Sequence, residues 1–206
     1  MIITEIANCK GNKNRVNIYV DGAFAFALYA ETAAWAGLRE GADIAGLDMK
    51  GIAQEDEKKY ALEVAMQFLA YRMRTQKEVR DKLRQKGVGE GAAEETVQRL
   101  LESGYINDLE FAAAYAEELK GRLGKRGIRQ KLFEKGIRNA EADEALAQMG
   151  GFAETVRSQA EKLMEKYKND DAYKARGKVF RTLLNRGFEA DEIKSALAEL
   201  GAGAEE

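Results

Sequence analysis

Lysine and arginine are the residues whose spacing in this chain could do chemistry. They crowd into three stretches, Arg72 to Lys86, Lys120 to Arg138 and Lys174 to Arg186, which hold 7, 8 and 5 basic residues against 2, 1 and 0 acidic ones. Cations grouped with so few anions suit electrostatic capture of a polyanion or of an acidic groove. The formal charge of −2 over 206 residues hides this asymmetry, because the three stretches carry a net +17 and everything else a net −19. A plain alternative is that these are solvated helix faces. Ordinary solvated faces intersperse both signs, however, and three sparsely acidic stretches in register favour a binding surface.

Other chemistries are poorly supplied. With no histidine, the chain lacks the usual acid/base group of neutral pH, and His-based triads and His-containing zinc sites are excluded. The single cysteine, Cys9, can form neither an internal disulfide nor a Cys-rich metal site, and reads as a small packed side chain. Carboxylate pairs such as Glu94-Glu95 and Asp170-Asp171 have no accompanying base, nucleophile or ligand cluster. Gly121, Gly124 and Gly127 lack a preceding strand and the phosphate-loop pattern, so they read as a flexible basic turn. No catalytic constellation, cofactor site or metal site is expected. The absence of a long apolar run or of a basic-then-apolar leader predicts a cytoplasmic protein with no membrane partner.

The elements that must position the basic residues follow from periodicity. Ile2, Thr4 and Ile6, then Val16, Ile18 and Val20, then Phe24, Phe26 and Leu28 alternate with the strand period. Asp21-Gly22 favours a tight hairpin turn. A small three-stranded antiparallel sheet is predicted, with a short helix over Glu31 to Gly37 and packing roles for Phe24, Phe26 and Trp35. Gly41 to Gly51 reads as a linker.

From about Glu57 the period becomes helical, and the absence of proline permits helix over most of the remainder. Aligning on Gly87, Gly136 and Gly187 superposes Val79, Ile128 and Val179 eight positions earlier, and Leu83, Leu132 and Leu183 four earlier. Lys86, Lys135 and Arg186 directly precede the glycine, where a cation complements the helix dipole, and Val88, Ile137 and Phe188 directly follow it. Three apolar columns continue downstream: Ala93, Ala142, Ile193; Val97, Leu146, Leu197; Leu100, Met149, Leu200. One unit is used three times. Each begins with another amphipathic helix, marked by Ala61, Val64 and Ala65, by Phe111, Ala112 and Ala116, and by Phe152, Val156 and Ala160. Thr75 with Glu78 and Asn107 with Glu110 have capping-box spacing, while Tyr105 and Ile106 are expected to dock on the core.

The predicted fold is therefore mainly α: three tandem three-helix repeats in an elongated array, preceded by a three-stranded antiparallel sheet with a short helix. The expected boundaries are 1–50 for the sheet domain and 57–106, 107–150 and 151–201 for the repeats. Lys77, Arg80 and Arg84 share one face of a second helix, and Lys174, Lys178 and Arg181 lie opposite Val179 and Leu183. Lys125, Arg126, Arg129 and Lys131 surround theirs.

Several of these segments, in order, resemble the RecX regulatory proteins. They are Tyr71-Arg72-Met73-Arg74-Thr75 with Glu78, Leu83 and Lys86-Gly87; Gly104-Tyr105-Ile106-Asn107-Asp108 with Phe111, Ala112 and Tyr115; and Gly124-Lys125-Arg126 with Ile128, Arg129, Leu132 and Lys135-Gly136-Ile137. The similarity covers about residues 57 to 200, with a more divergent third repeat. Thr75 stands where the family often has serine, which preserves capping. The N-terminal sheet is absent from shorter members. The resemblance implies a non-enzymatic regulator that binds the RecA recombinase filament on DNA and inhibits its ATPase and strand exchange; a monomer is expected. The contacts expected are Arg72, Arg74, Lys77, Arg80 and Arg84 in the first repeat; Lys120, Arg122, Lys125, Arg126, Arg129 and Lys131 in the second; and Lys174, Arg176, Lys178 and Arg181 in the third. The alternative is a nucleic-acid-binding repeat module that acts by phosphate contacts without RecA.

Overall fold

Alternating apolar residues do build a sheet at the N-terminus, and apolar residues at helical spacing build the rest. The computed structural model describes residues 1–202. Among them, the elements run β1 (Ile3–Asn8), β2 (Arg15–Val20), β3 (Ala23–Tyr29), α1 (Ala30–Trp35), α2 (Met49–Leu69), α3 (Gln76–Gln85), α4 (Glu90–Glu102), α5 (Asp108–Lys120), α6 (Lys125–Glu134), α7 (Asn139–Gln148), α8 (Ala153–Lys166), α9 (Ala172–Asn185) and α10 (Ala190–Ala202). The chain divides into two compact units, Met1–Arg72 with Val79–Tyr105, and Met73–Glu78 with Ile106 onward.

In the first unit the sheet is an antiparallel meander of order β1-β2-β3. Asp21 and Gly22 both have positive φ, 48° and 85°, as a type I′ hairpin turn requires. A bulge between Ile3 and Glu5 shifts the pairing of β1 with β2, so the alternation breaks. Ile3, not Ile2 or Thr4, therefore enters the core with Val16, Ile18, Leu28, Ala33, Leu38, Ile44 and Ile52. Phe26 packs against this core, but Trp35 and Phe24 do not bury: they stay 69% and 59% exposed, and Phe24 makes only an edge contact with the Tyr19 ring. The expected linker is part of the fold. Ile44 is buried, Asp43 bridges Ile2, and Asp48 caps α2 by accepting the Gly51 N–H at 3.0 Å. Hence α2 starts at Met49, about two turns before the point where the helical period first becomes legible.

Those extra turns seat the helix on the sheet through a polar cluster. Asp56 of α2, itself buried, accepts the Tyr29 N–H at 2.6 Å and pairs with Arg15 of β2 at 3.3 Å. Arg15 also donates to the Ala27 carbonyl at 2.8 Å and lies over the rings of Tyr29 and Tyr60. The Tyr29 hydroxyl bonds Glu63 one turn below Tyr60. Burial first, and then the Glu63 carboxylate, push the Tyr29 phenol above its ordinary range.

The repeats show the same packing three times, with the first helix against the third: α2 on α4, α5 on α7, and α8 on α10. Each second helix ends identically. Gly87, Gly136 and Gly187 have φ of 77°, 83° and 86°, and the next residue's N–H donates five positions back, Val88 to Leu83, Ile137 to Leu132 and Phe188 to Leu183. This is the Schellman termination, with the apolar residue after the glycine folded onto the last turn. Val79, Ile128, Val179, Leu83, Leu132 and Leu183 are all fully buried. Of the pair expected to dock, Ile106 buries and Tyr105 remains 58% exposed.

Within the second unit, helix starts rest on helix ends. Thr75 caps α3 by accepting the Glu78 N–H at 3.1 Å and donates its hydroxyl to the Lys135 carbonyl, at the end of α6, at 2.8 Å. Glu78 completes the capping box by accepting the Thr75 N–H at 3.3 Å and also pairs with Lys135 Nζ at 2.7 Å. The corresponding start of α6 meets the end of α9: Gly124 N–H donates to the Arg186 carbonyl and Arg126 N–H to that of Gly187. The backbones come so close that a Cβ on Gly187 would lie 2.0 Å from the Gly127 nitrogen, and one on Gly124 would lie 2.3 Å from the Gly187 oxygen. Gly124 and Gly127 thus serve close approach rather than a flexible turn.

Candidate functional site

The second helices hold their cations in a different state from the one charge counting suggests, because acids from outside the basic stretches neutralise several of them. In the first unit, Arg80 of α3 forks onto both oxygens of Glu94 of α4, at 2.7 and 2.9 Å. That bond holds the Glu94 carboxyl below its usual range. Arg84 pairs with Asp81 at 3.2 Å, and Arg72 is exposed ahead of α3. In the second unit, Arg74 is half-buried and the Lys77 side chain packs over Gly136, where a Cβ would sit 2.6 Å from it.

The α6 cations are similarly divided. Arg129 pairs with Asp143 of α7, Lys131 with Glu134 at 2.7 Å, and Arg126 donates to the Leu184 carbonyl at 2.8 Å. The Lys131–Glu134 bond raises the lysine pKa and lowers the glutamate pKa. Lys120 approaches Glu117 at 3.9 Å. On α9, Lys178 pairs with Asp170 at 2.8 Å, Arg176 donates to the Leu197 carbonyl at 2.5 Å, and Arg181 donates to Gly177 at 3.3 Å. Arg122, Lys125 and Lys174 are exposed, and their charged side chains pair with no described residue. Their charges are the most available to a partner.

The second unit brings Arg122 together with residues that reading the sequence missed. A cavity of about 660 Å³ is lined by Arg122 and Arg186, by Lys162 and Lys166 of α8, and by the hydroxyl residues Thr155 and Ser158, with Glu154 as its one carboxylate. Buried Gln159 holds the turn that carries Arg122, donating to the Gly121 carbonyl at 2.6 Å and accepting from Arg186. Four cations beside two hydroxyls suit phosphate or carboxylate oxygens. Lys162 and Lys166 escaped notice because Glu161 and Glu165 alternate with them in the sequence. The signal was the spacing of Thr155, Ser158, Lys162 and Lys166, which places all four on one helical face.

Lys135 and Arg186 end helices, as expected of dipole-complementing cations, but their side chains also tie elements together through Glu78 and Gln159. Among the described residues, no cluster of His, Cys, Asp or Glu could hold a metal ion, and no helix is long and apolar enough to cross a membrane.

Three repeats with one packing rule and one helix-termination rule, set behind a small sheet, define a class of tandem three-helix repeat protein. Known proteins place the class. Residues 1–45 match the family model "Regulatory protein RecX N-terminal domain", and residues 61–100, 107–146 and 153–197 match the first, second and third RecX three-helix domains. The regulatory protein RecX of Bacillus licheniformis is 34% identical over 96% of this chain and 76% of its own length. That of Clostridium acetobutylicum is 31% identical over 96% of this chain and 95% of its own. A crystal structure of regulatory protein RecX superposes with a TM-score of 0.70 at 29% identity, covering 94% of this chain and 98% of the other. The RecX structure from Lactobacillus salivarius gives 0.66 at 30% identity, covering 72% of this chain and 99% of that one. The chain belongs to the RecX family of regulatory proteins.

Proposed function

We propose that the chain regulates the RecA recombinase by docking the cations of its second helices onto the RecA filament on DNA, and that it inhibits ATP hydrolysis and strand exchange. The observation that carries this reading is the return of a basic second helix in each repeat of a RecX-family chain. Arg122, Lys125 and Lys174 supply charges not committed to internal pairs, and the paired cations Arg80, Arg129 and Lys178 supply orientation. Several modest contacts on linked repeats add into avidity without any single tight site. The net −19 outside the basic stretches disfavours indiscriminate wrapping on bare DNA. The protein acts as a binding partner rather than an enzyme, and needs no cofactor.

A second reading, phosphate binding without RecA, draws on the cavity of Arg122, Lys162, Lys166 and Arg186. Cosedimentation with RecA–ssDNA filaments, set beside binding to bare ssDNA over a salt series, separates the two. Filament binding that persists where bare-strand binding has been lost to salt supports the recombinase reading. Equal affinity and equal salt slope for filament and bare strand would favour the second.

A further inference from the structure

A cavity in the first unit lies apart from Arg122, Lys125 and Lys174 and has a composition of its own. Its volume is about 620 Å³, and it opens between the β1–β2 loop, the second half of α2, and α3. Lys13 comes from the loop, Lys82 and Lys86 from α3 and its terminal turn, Tyr60 from α2, and Tyr71 from the turn between α2 and α3. Glu63 is the one carboxylate in the lining, and both its oxygens are engaged, one by the Tyr29 hydroxyl and one by the Gln67 amide at 3.0 Å.

None of the three lysines pairs with a described carboxylate. Lys82 contacts only the Gln85 amide oxygen, at 3.3 Å, and the face of Phe68, at 5.5 Å. Lys13 and Lys86 are exposed, and Tyr71 is 86% exposed, a large ring left in water at the rim. Three ammonium groups with mobile donors can hold phosphate oxygens as point charges. Two aromatic faces beside them offer a surface for a flat base. The loop is held in place for this by its own turn, Asn14 N–H to Asn12 Oδ1 at 2.9 Å and Arg15 N–H to the Asn12 carbonyl at 3.1 Å.

We propose that this cavity binds a nucleoside phosphate, with phosphate oxygens on Lys13, Lys82 and Lys86 and the base against Tyr71. The chemistry has two possible sources, a single nucleic-acid strand or a free nucleotide. The recombinase reading rests on Arg122, Lys125 and Lys174, none of which lines this cavity, and could fail while this site remains.

The test uses the full chain carrying Arg122→Glu, Lys125→Glu and Lys174→Glu, so that the cations of the recombinase reading add little to binding. A fluorescein-labelled oligodeoxythymidylate and a fluorescent ATP analogue are titrated separately by anisotropy, with helicity checked by far-UV circular dichroism. Lys13→Glu with Lys86→Glu, both exposed, should weaken whichever probe binds about tenfold or more, since two phosphate contacts become repulsions. Tyr71→Ala should weaken the same probe about fivefold, the effect of one lost base stack, and leave competition by tripolyphosphate unchanged. Binding of the oligonucleotide alone assigns the site to a strand, and binding of the nucleotide alone assigns it to a free nucleotide. Failure of both probes to bind, or equal binding by the lysine variant, would overturn the proposal. So would an unchanged affinity in Tyr71→Ala, which would mark the cavity as a general anion site open to an acidic peptide.

Discussion

The hydroxyl of Thr75 donates to the backbone carbonyl of Lys135 at 2.8 Å while accepting the N–H of Glu78 at 3.1 Å. One fully buried side chain therefore caps its own helix and grips the end of the second helix of the following repeat. Thr75→Ala should lower stability by roughly 2 kcal/mol, combining a lost cap with a half-buried carbonyl left without this donor. Thr75→Ser keeps both bonds and should fall within about 0.5 kcal/mol of the native protein. Urea denaturation of the two variants side by side checks the contrast.

Two glycines of the third repeat should respond in opposite directions. Gly187 has φ of 86°, and a Cβ there would sit 2.0 Å from the Gly127 nitrogen. Gly187→Ala should cost more than about 2 kcal/mol, from backbone strain and the forced separation of two backbone segments. Gly177 lies inside α9 with open space where its Cβ would be. Gly177→Ala should stabilise by about 0.5–1 kcal/mol. Thermal unfolding followed at 222 nm reads both, because the repeats are helical.

The polar cluster between sheet and α2 makes two predictions. Asp56→Ala strands Arg15 and leaves the Tyr29 N–H without its acceptor, and should cost roughly 3 kcal/mol in a chemical-denaturation experiment. The alkaline limb of the stability profile tests Tyr29. Its phenol is raised in the folded state, so the unfolded chain loses this proton first as pH climbs. The contribution is intact below the ordinary tyrosine value of about 10 and declines above it. Tyr29→Phe should flatten that decline.

Acid pH acts through Glu94, Glu134 and Glu141, each held below the ordinary carboxylate range first by a side-chain hydrogen bond, from Arg80, Lys131 and Arg138 respectively. Their support is present above the unfolded value near 4.3 and is lost as pH falls through the lower folded values. Glu94→Gln should therefore lower stability slightly at neutrality and flatten the loss between about pH 5 and pH 3 by the same amount, a small one because the pair is solvent-exposed.

Where structure is local, the sequence carried it. The Gly87, Gly136 and Gly187 columns announced three helix ends because a positive φ and a following apolar residue are both written within six residues. The Thr75 capping box was legible for the same reason. The sheet was legible as to type but not as to faces, since the bulge after Ile3 depends on pairing with β2 and leaves no mark in β1 itself. Close approach was hidden too. Gly124 and Gly127 look like a loose turn until Gly187, distant in sequence, is laid against them. The candidate site shows the same limit. Basic stretches could be counted, but the carboxylates that pair with them, Glu94, Asp143 and Asp170, come from other segments. Lys162 and Lys166 were masked by alternating glutamates that face elsewhere.

The most direct test of the account is the rate of ATP hydrolysis by cognate RecA on ssDNA as this protein is titrated in, beside a folded variant with Arg122→Glu, Lys125→Glu and Lys174→Glu. The native protein should inhibit at or below one molecule per RecA subunit, and the variant should need about tenfold more, consistent with loss of several linked contacts. Equal potency of native protein and variant would remove the assignment of these cations, and an ATPase rate unchanged by the native protein would contradict the regulatory reading itself.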